Sequence, residues 1–329
     1  MRTSTRALAL SGAAVLLLIV AALSLTLGNR ETEPERMLAV LMGEGDQFME
    51  QVLAARWPRT VMGAAVGAAL AVSGILIQSV MRNPLGEPGL LGVTMGASAS
   101  VVTASAVFGA AGGFAVVGAA MPGAVLAVTA VYLLGSRSGS RSVIPLILAG
   151  AVVSAVLGAY VQAMILARPE VFDSYRHWVV GSLAGARFET LWAVLPALLL
   201  GLLLALASVG GLNALALGED LAAGLGVKVR RLRLMALAAA TLLAAAATAA
   251  VGPIAFVGLA VPHLVRALVG SDHRWQLPLA LILGAALLLV ADVAARIVAR
   301  PEELMVGVVT AFVGAPFLLA AVRKGKVRG

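Results

Sequence analysis

The chain contains no cysteine, which excludes disulfides, thiolate metal ligands and thiol nucleophiles. Charge is also scarce: 12% of the 329 residues are Asp, Glu, Lys or Arg, against 61% hydrophobic ones. A soluble core of this size could not hide so much apolar surface, so the excess must face lipid. Aromatic residues make up only 5%, whereas alanine, leucine, valine and 36 glycines dominate. Small residues of that kind let helix backbones approach closely in a bilayer. No Gly-x-x-x-x-Gly-Lys-Ser/Thr occurs, the sole Gly-Lys pair being Gly325-Lys326, so the chain does not hydrolyse nucleotide by that route. A Gly-x-Ser-x-Gly elbow is missing too. His177, His263 and His273 fall in different segments, without metal-ligand spacing, and His263 after Pro262 reads as a packed, hydrogen-bonded histidine. The formal charge is +8, but its cations lie in short segments between apolar runs instead of on one basic face, which argues against a nucleic-acid partner.

What is present is a series of long uncharged runs. An α-helix rises about 1.5 Å per residue, so roughly 20 apolar residues cross the hydrocarbon. The first run, Ala7 to Gly28, is 22 residues long. A cleaved signal peptide has a core of about 7 to 15 residues, so an uncleaved first span is the preferred reading. Pro88 to Ser136 is long enough for two helices joined at the glycine-rich Gly109 to Gly113. Leu234 to Val265 is the ambiguous run: too long for one untilted span, short for two, and interrupted by Gly252-Pro253 and Pro262.

Charge resolves the ambiguity. The tail Arg323 to Arg328 is strongly basic and the amino end carries Arg2 and Arg6, so the positive-inside rule predicts both termini in the cytoplasm. That requires ten spans, predicted over 7–28, 60–81, 89–108, 114–135, 143–167, 190–209, 234–250, 254–269, 276–297 and 304–322 in a single membrane domain. With this topology, 15 of the 24 cations are inside and 11 of the 16 acids outside. The expected fold is therefore an all-α polytopic protein of the cell membrane.

Two polar features interrupt the pattern. Gly210 to Arg233 contains Leu217-Gly218-Glu219-Asp220-Leu221-Ala222-Ala223-Gly224-Leu225-Gly226, too polar to span and too apolar for a solvated loop. It reads as a short cytoplasmic helix, predicted over 214–226, that either docks a soluble partner or lies on lipid. Asp292 is the one acidic residue inside a predicted span, with Arg296 one turn on along the same face. A structural ion pair near the outer surface is the preferred reading, and a proton relay in an ion-coupled carrier is the alternative.

Several stretches together resemble one family, the FecCD-type permeases of type II ATP-binding-cassette importers for ferric siderophores, haem and cobalamin. They are Arg56-Trp57-Pro58-Arg59-Thr60, Gly74-Ile75-Leu76-Ile77-Gln78, Arg82-Asn83-Pro84-Leu85-Gly86-Glu87-Pro88-Gly89-Leu90-Leu91-Gly92, Leu148-Ala149-Gly150 and Trp178 to Leu183. Gly252 to Leu259, Val261 to Arg266, Asp292 to Arg296 and Gly314-Ala315-Pro316-Phe317 complete the set. The resemblance implies a transport subunit, not an enzyme, with no cofactor of its own. ATP would be bound by a separate cytoplasmic ATPase, and an extracytoplasmic substrate-binding protein would deliver the ferric siderophore. It also implies a homodimer or heterodimer with a second permease, and a pathway at the dimer interface lined by the fifth and tenth spans and by Phe172 to Leu183.

By the same resemblance, Arg56, Arg59 and Arg296 form an exposed arginine rim that meets acidic residues of the binding protein. Asn83, Pro84 and Leu85 match the cytoplasmic gate. Leu217, Gly218, Ala222, Ala223, Gly224, Leu225 and Gly226 match the coupling helix that sits in a cleft of the ATPase, between the sixth and seventh spans. The inner loop Ser136 to Ser142 occupies the place of the second gate segment without matching it residue by residue, and receives no role. Trp57 stands where a smaller apolar residue is common.

Overall fold

The computed structural model describes residues 3–28, 47–109, 114–136 and 144–323, and among them there is no strand. The loop Ser136 to Ser142 beyond its first residue, the acidic run Glu31 to Asp46, the tail after Arg323 and the His177 side chain lie outside the described residues. Twelve α-helices are described: α1 Thr3–Thr26, α2 Gln47–Met81, α3 Val93–Phe108, α4 Phe114–Ser136, α5 Ile144–Ala167, α6 Pro169–Val179, α7 Phe188–Leu215, α8 Glu219–Gly224, α9 Val229–Val251, α10 Val257–Val269, α11 His273–Val298 and α12 Val306–Arg323. Seven of them (α1, α2, α4, α5, α7, α9, α11) are long and apolar enough to cross a membrane; α3, α10 and α12 are shorter apolar helices.

The apolar helices carry hydrophobic residues all round, so burial is decided by neighbours and not by an amphipathic stripe. In the most apolar windows of α2, α9 and α11, 78%, 72% and 61% of residues are buried, against 17% in α1 and 11% in α5. The first three therefore form the centre of the bundle. Outer helices keep large apolar side chains such as Leu148, Val152 and Val156 exposed, as a lipid-facing surface requires. At the centre the helices meet through glycine. A Cβ on Gly67 of α2 would lie 2.2 Å from the Gly284 carbonyl oxygen of α11, and one on Gly284 2.4 Å from the Gly67 carbonyl oxygen. Only glycine at both positions allows that approach.

Element bounds depart from the predicted spans where tertiary contacts extend a helix past its apolar run. α2 begins at Gln47, so Arg56-Trp57-Pro58-Arg59 is helical with Pro58 inside the helix. The stretch predicted as 89–108 is divided: Pro88–Leu91 forms a 3-10 turn ending on Gly92, whose φ of 81° breaks the helix before α3. The segment 214–226 likewise comprises the last turn of α7, a turn through Gly218 and only six residues of helix, since α7 runs on to Leu215. Gly218, at φ 118°, is the break. α6 is the one strongly amphipathic addition, with Val171 and Tyr175 buried.

Candidate functional site

Three groups of residues gather the polar chemistry of the bundle. The first surrounds Asp292, which is fully buried on α11. Its Oδ1 accepts from Arg59 Nη2 at 2.8 Å, and its Oδ2 lies 2.8 Å from Arg296 Nη2. Arg59 also donates through Nη1 to Glu303 at 2.8 Å. The i,i+4 pair anticipated within α11 is thus half of a larger cluster reaching 233 residues along the chain.

Arg296, with Arg56 and Arg300, also closes the carboxyl end of α1. A helix ends with carbonyls that have no partner within it, and their partial negative charge attracts cations. α1 has no basic residue in its last turn. Arg56 Nη1 donates instead to Leu25 O and Thr26 O at 2.9 and 2.7 Å, and Arg296 Nη1 to Ser24 O and Leu27 O, both at 2.9 Å. Arg300 Nη2 reaches Gly28 O at 2.7 Å. This overturns the expectation of an exposed rim: Arg296 is 2% exposed and Arg56 8%. The rim was what the resemblance implied; in the fold Arg56 and Arg296 cap the end of α1.

Beside this cluster lies a basin of about 770 Å³ lined by Arg56, Arg59, Arg187, Glu189, Arg296 and Glu303. Arg187 and Glu189 are exposed there. Arg187, the residue immediately before α7, carries no motif signal, and its place at the basin follows from the outer turn through Gly185.

The second group is the connection between α2 and α3. α2 ends on Arg82 in the left-handed conformation, and Asn83 Oδ1 accepts from Leu85 N at 2.9 Å, an Asx turn that Pro84 reinforces by keeping Asn83 out of the helical region. Leu85 is exposed. The loop then folds back into the bundle, where Glu87 Oε1 accepts from Phe256 N at 3.1 Å. Burial pushes the Glu87 carboxyl up, and this hydrogen bond pulls it the other way. Glu87, Pro88, Thr248, Pro253 and Gly307 line a cavity of about 470 Å³ inside the bundle. Reading from the sequence missed Glu87 because it lies among loop residues; only the fold turns it inward.

The third group is α8 and its flanks. Ala222 is fully buried and anchors the segment, while Leu217, Leu221 and Leu225 are each more than 60% exposed. Leu221 and Leu225 are one helical turn apart and lie on one side of α8, whereas Leu217 stands before the break at Gly218. Glu219 pairs with Arg233 at the start of α9. Arg82, the residue immediately after α2, lines one shallow recess with Leu217 to Leu221. Gly224 and Gly226 face open space, and Gly226 has φ 83°. His263 and His273 are both packed: His263 Nδ1 bonds Leu259 O, and His273 bonds Ser79 and Asn213. Among the described residues no group of His, Asp or Glu could hold a metal ion.

Comparison with known proteins places this geometry in context. A family model described as the FecCD transport family matches residues 16–324. A ferric enterobactin transport system permease protein of Escherichia coli (strain K12) is 43% identical over 327 residues, covering 99% of this chain and 97% of the relative. A cobalamin import system permease protein of Halobacterium salinarum is 39% identical over 276 residues, covering 83% of this chain and 73% of the relative. A solved structure described as an inward-facing metal-chelate type ABC transporter matches with a TM-score of 0.84 and 30% identity, over 97% of this chain and 99% of its own.

Proposed function

The chain belongs to the FecCD transport family, and from that premise we propose that it is the permease subunit of an ATP-binding-cassette importer for ferric siderophores. With a second copy or a sibling permease it forms the transmembrane pathway. A separate ATPase powers it and a substrate-binding protein feeds it. The relatives' names support chelated metal as cargo, with ferric enterobactin and cobalamin among what they carry; haem or cobalamin is the alternative cargo for this chain.

The observation that carries the reading is the surface of α8. Three exposed leucines in and around α8, anchored by Ala222 and set beside Arg82, fit an apolar cleft of a soluble partner better than bulk water. No nucleotide-binding motif stands in the chain itself, so this is the route by which another subunit's hydrolysis would reach the spans. In this reading α1, α2, α3, α4, α5, α7, α9, α10, α11 and α12 are the ten spans, with both termini cytoplasmic, and Asn83-Pro84-Leu85 is the cytoplasmic gate. Asp292, Arg59 and Arg296 hold the outer end together, and the outer basin with Arg59 and Arg187 receives the binding protein's acidic residues. Exposed charges there set orientation and on-rate, which suits a partner that must leave each cycle.

Growth of a deletion strain on single iron sources tests the cargo. Loss of growth on ferric siderophores alone supports it; a defect confined to haem or cobalamin use assigns the alternative.

A further inference from the structure

Among the described residues only two that are not glycine have positive φ, Arg82 at 49° and Phe256 at 69°. For side chains of this size that conformation is strained, and strain persists only where the surroundings enforce it. Both residues border the same loop. Arg82 begins it, and the Phe256 amide is hydrogen-bonded to Glu87 near its far end.

Phe256 closes the strap Gly252 to Phe256, which joins α9 to α10. The strap's outer end is tied to the outer stretch after α6: Ser182 N donates to Val251 O at 2.8 Å, and Gly307 N, at the start of α12, donates to Gly181 O at 3.2 Å. A Cβ on Gly181 would lie 2.3 Å from Pro253 O, so strap and outer stretch are in direct backbone contact. The inner end is gripped as firmly. A Cβ on Gly314 of α12 would meet the Phe256 side chain at 2.4 Å, and one on Gly74 of α2 would meet Gly258 O at 1.9 Å. Gln78 Nε2 donates to that same Gly258 oxygen. One line of contacts therefore runs from the outer stretch through the strap to the gate loop, and the Glu87 side chain supplies the hydrogen bond at its end.

We infer that Glu87 is a positioning residue that latches the Asn83–Gly92 loop to the Gly252–Phe256 strap, so that the gate moves with the outer stretch of the same subunit. The inference builds on the reading of Asn83-Pro84-Leu85 as the gate. Its mechanism is a hydrogen bond: the Glu87 carboxyl oxygen accepts from the amide at the head of α10, where the helix's orphan N–H groups and positive end favour an acceptor. Pro88 packs beside the latch, its Cδ 3.4 Å from where a Cβ on Gly258 would stand, an ordinary van der Waals distance.

The absence of native cysteine allows a clean test in the permease assembled with its ATPase in nanodiscs. Asn83→Cys reports the gate through its rate of maleimide labelling with and without ATP. The account expects labelling to respond to ATP in this background, the response to vanish with Glu87→Ala, and to return with Glu87→Gln, whose amide oxygen can still accept from Phe256 N–H. Chelate delivered per ATP should fall about tenfold in Glu87→Ala, the factor that corresponds to a lost hydrogen bond to a charged acceptor. An ATP response in Glu87→Ala equal to the parent's would overturn the latch, and so would Glu87→Gln behaving like Glu87→Ala. No ATP response in the parent Asn83→Cys protein would refute the gate reading itself, a failure visible before Glu87 is touched. Should Glu87→Ala not assemble, amide exchange decides: slow exchange at Phe256 in the parent and in Glu87→Gln supports the latch, and fast exchange in the parent contradicts it.

Discussion

Asp292 holds two guanidiniums with one carboxylate, and that imbalance makes it the side chain on which the outer end of the bundle is most dependent. Removing one member of a buried ion pair leaves an uncompensated charge and costs about 3–5 kcal/mol. Asp292→Ala should therefore lower the unfolding midpoint in detergent sharply, leaving Arg59 with Glu303 alone as counter-charge and Arg296 with only the neutral acceptors at the end of α1. Arg56→Glu with Arg59→Glu should also cost the fold, because a carboxylate at 56 cannot donate to the α1 carbonyls. Arg187→Glu separates docking from folding: it should leave the midpoint unchanged while slowing association with the binding protein, by less as salt is raised. At this scale the sequence was partly legible. Asp292 and Arg296 announce themselves by i,i+4 spacing inside an apolar run. Arg59, the stronger partner, lies 233 residues away, and no local rule brings it there. Glu87 was hidden for the opposite reason, since a loop acid beside prolines reads as solvated until the loop is seen to fold inward.

Among the elements, those whose ends are made by local chemistry were readable. Gly252-Pro253 breaks the long alanine-rich run because Gly252 adopts φ 79° and proline cannot continue a helix; Asn83-Pro84 stops α2 for a similar reason. Helices that outrun their predicted spans were not: α2 starts at Gln47, in a charged stretch that hydropathy does not mark, and α7 continues to Leu215, past the predicted end at 209 though still within an uncharged run. Two predictions belong here. Gly67→Val should push α2 from α11 and cost about 1–3 kcal/mol by overpacking, or abolish the folded protein, read from its yield and thermal midpoint. Leu221→Asp, on an exposed face, should leave folding intact but weaken association with the ATPase by about 2 kcal/mol or more, as a central apolar anchor does; a pull-down with the purified ATPase measures it. Substitution at Gly224, which meets open space, should be tolerated by the fold itself.

For the molecule as a whole, run lengths and charge asymmetry imply a polytopic helical bundle before any family is considered, and the structure supplies what they could not, a centre of α2, α9 and α11 and contacts that join the strap Gly252 to Phe256 both to Gly181-Ser182 and to Glu87. In the proposed reading the energy comes from a separate ATPase, and that makes the central claim measurable. The most direct test is uptake of a ferric siderophore into proteoliposomes holding the permease with its partner ATPase and binding protein. The account predicts accumulation that requires ATP and persists when a proton ionophore is added. Accumulation that continues without ATP and collapses with the proton gradient would contradict it.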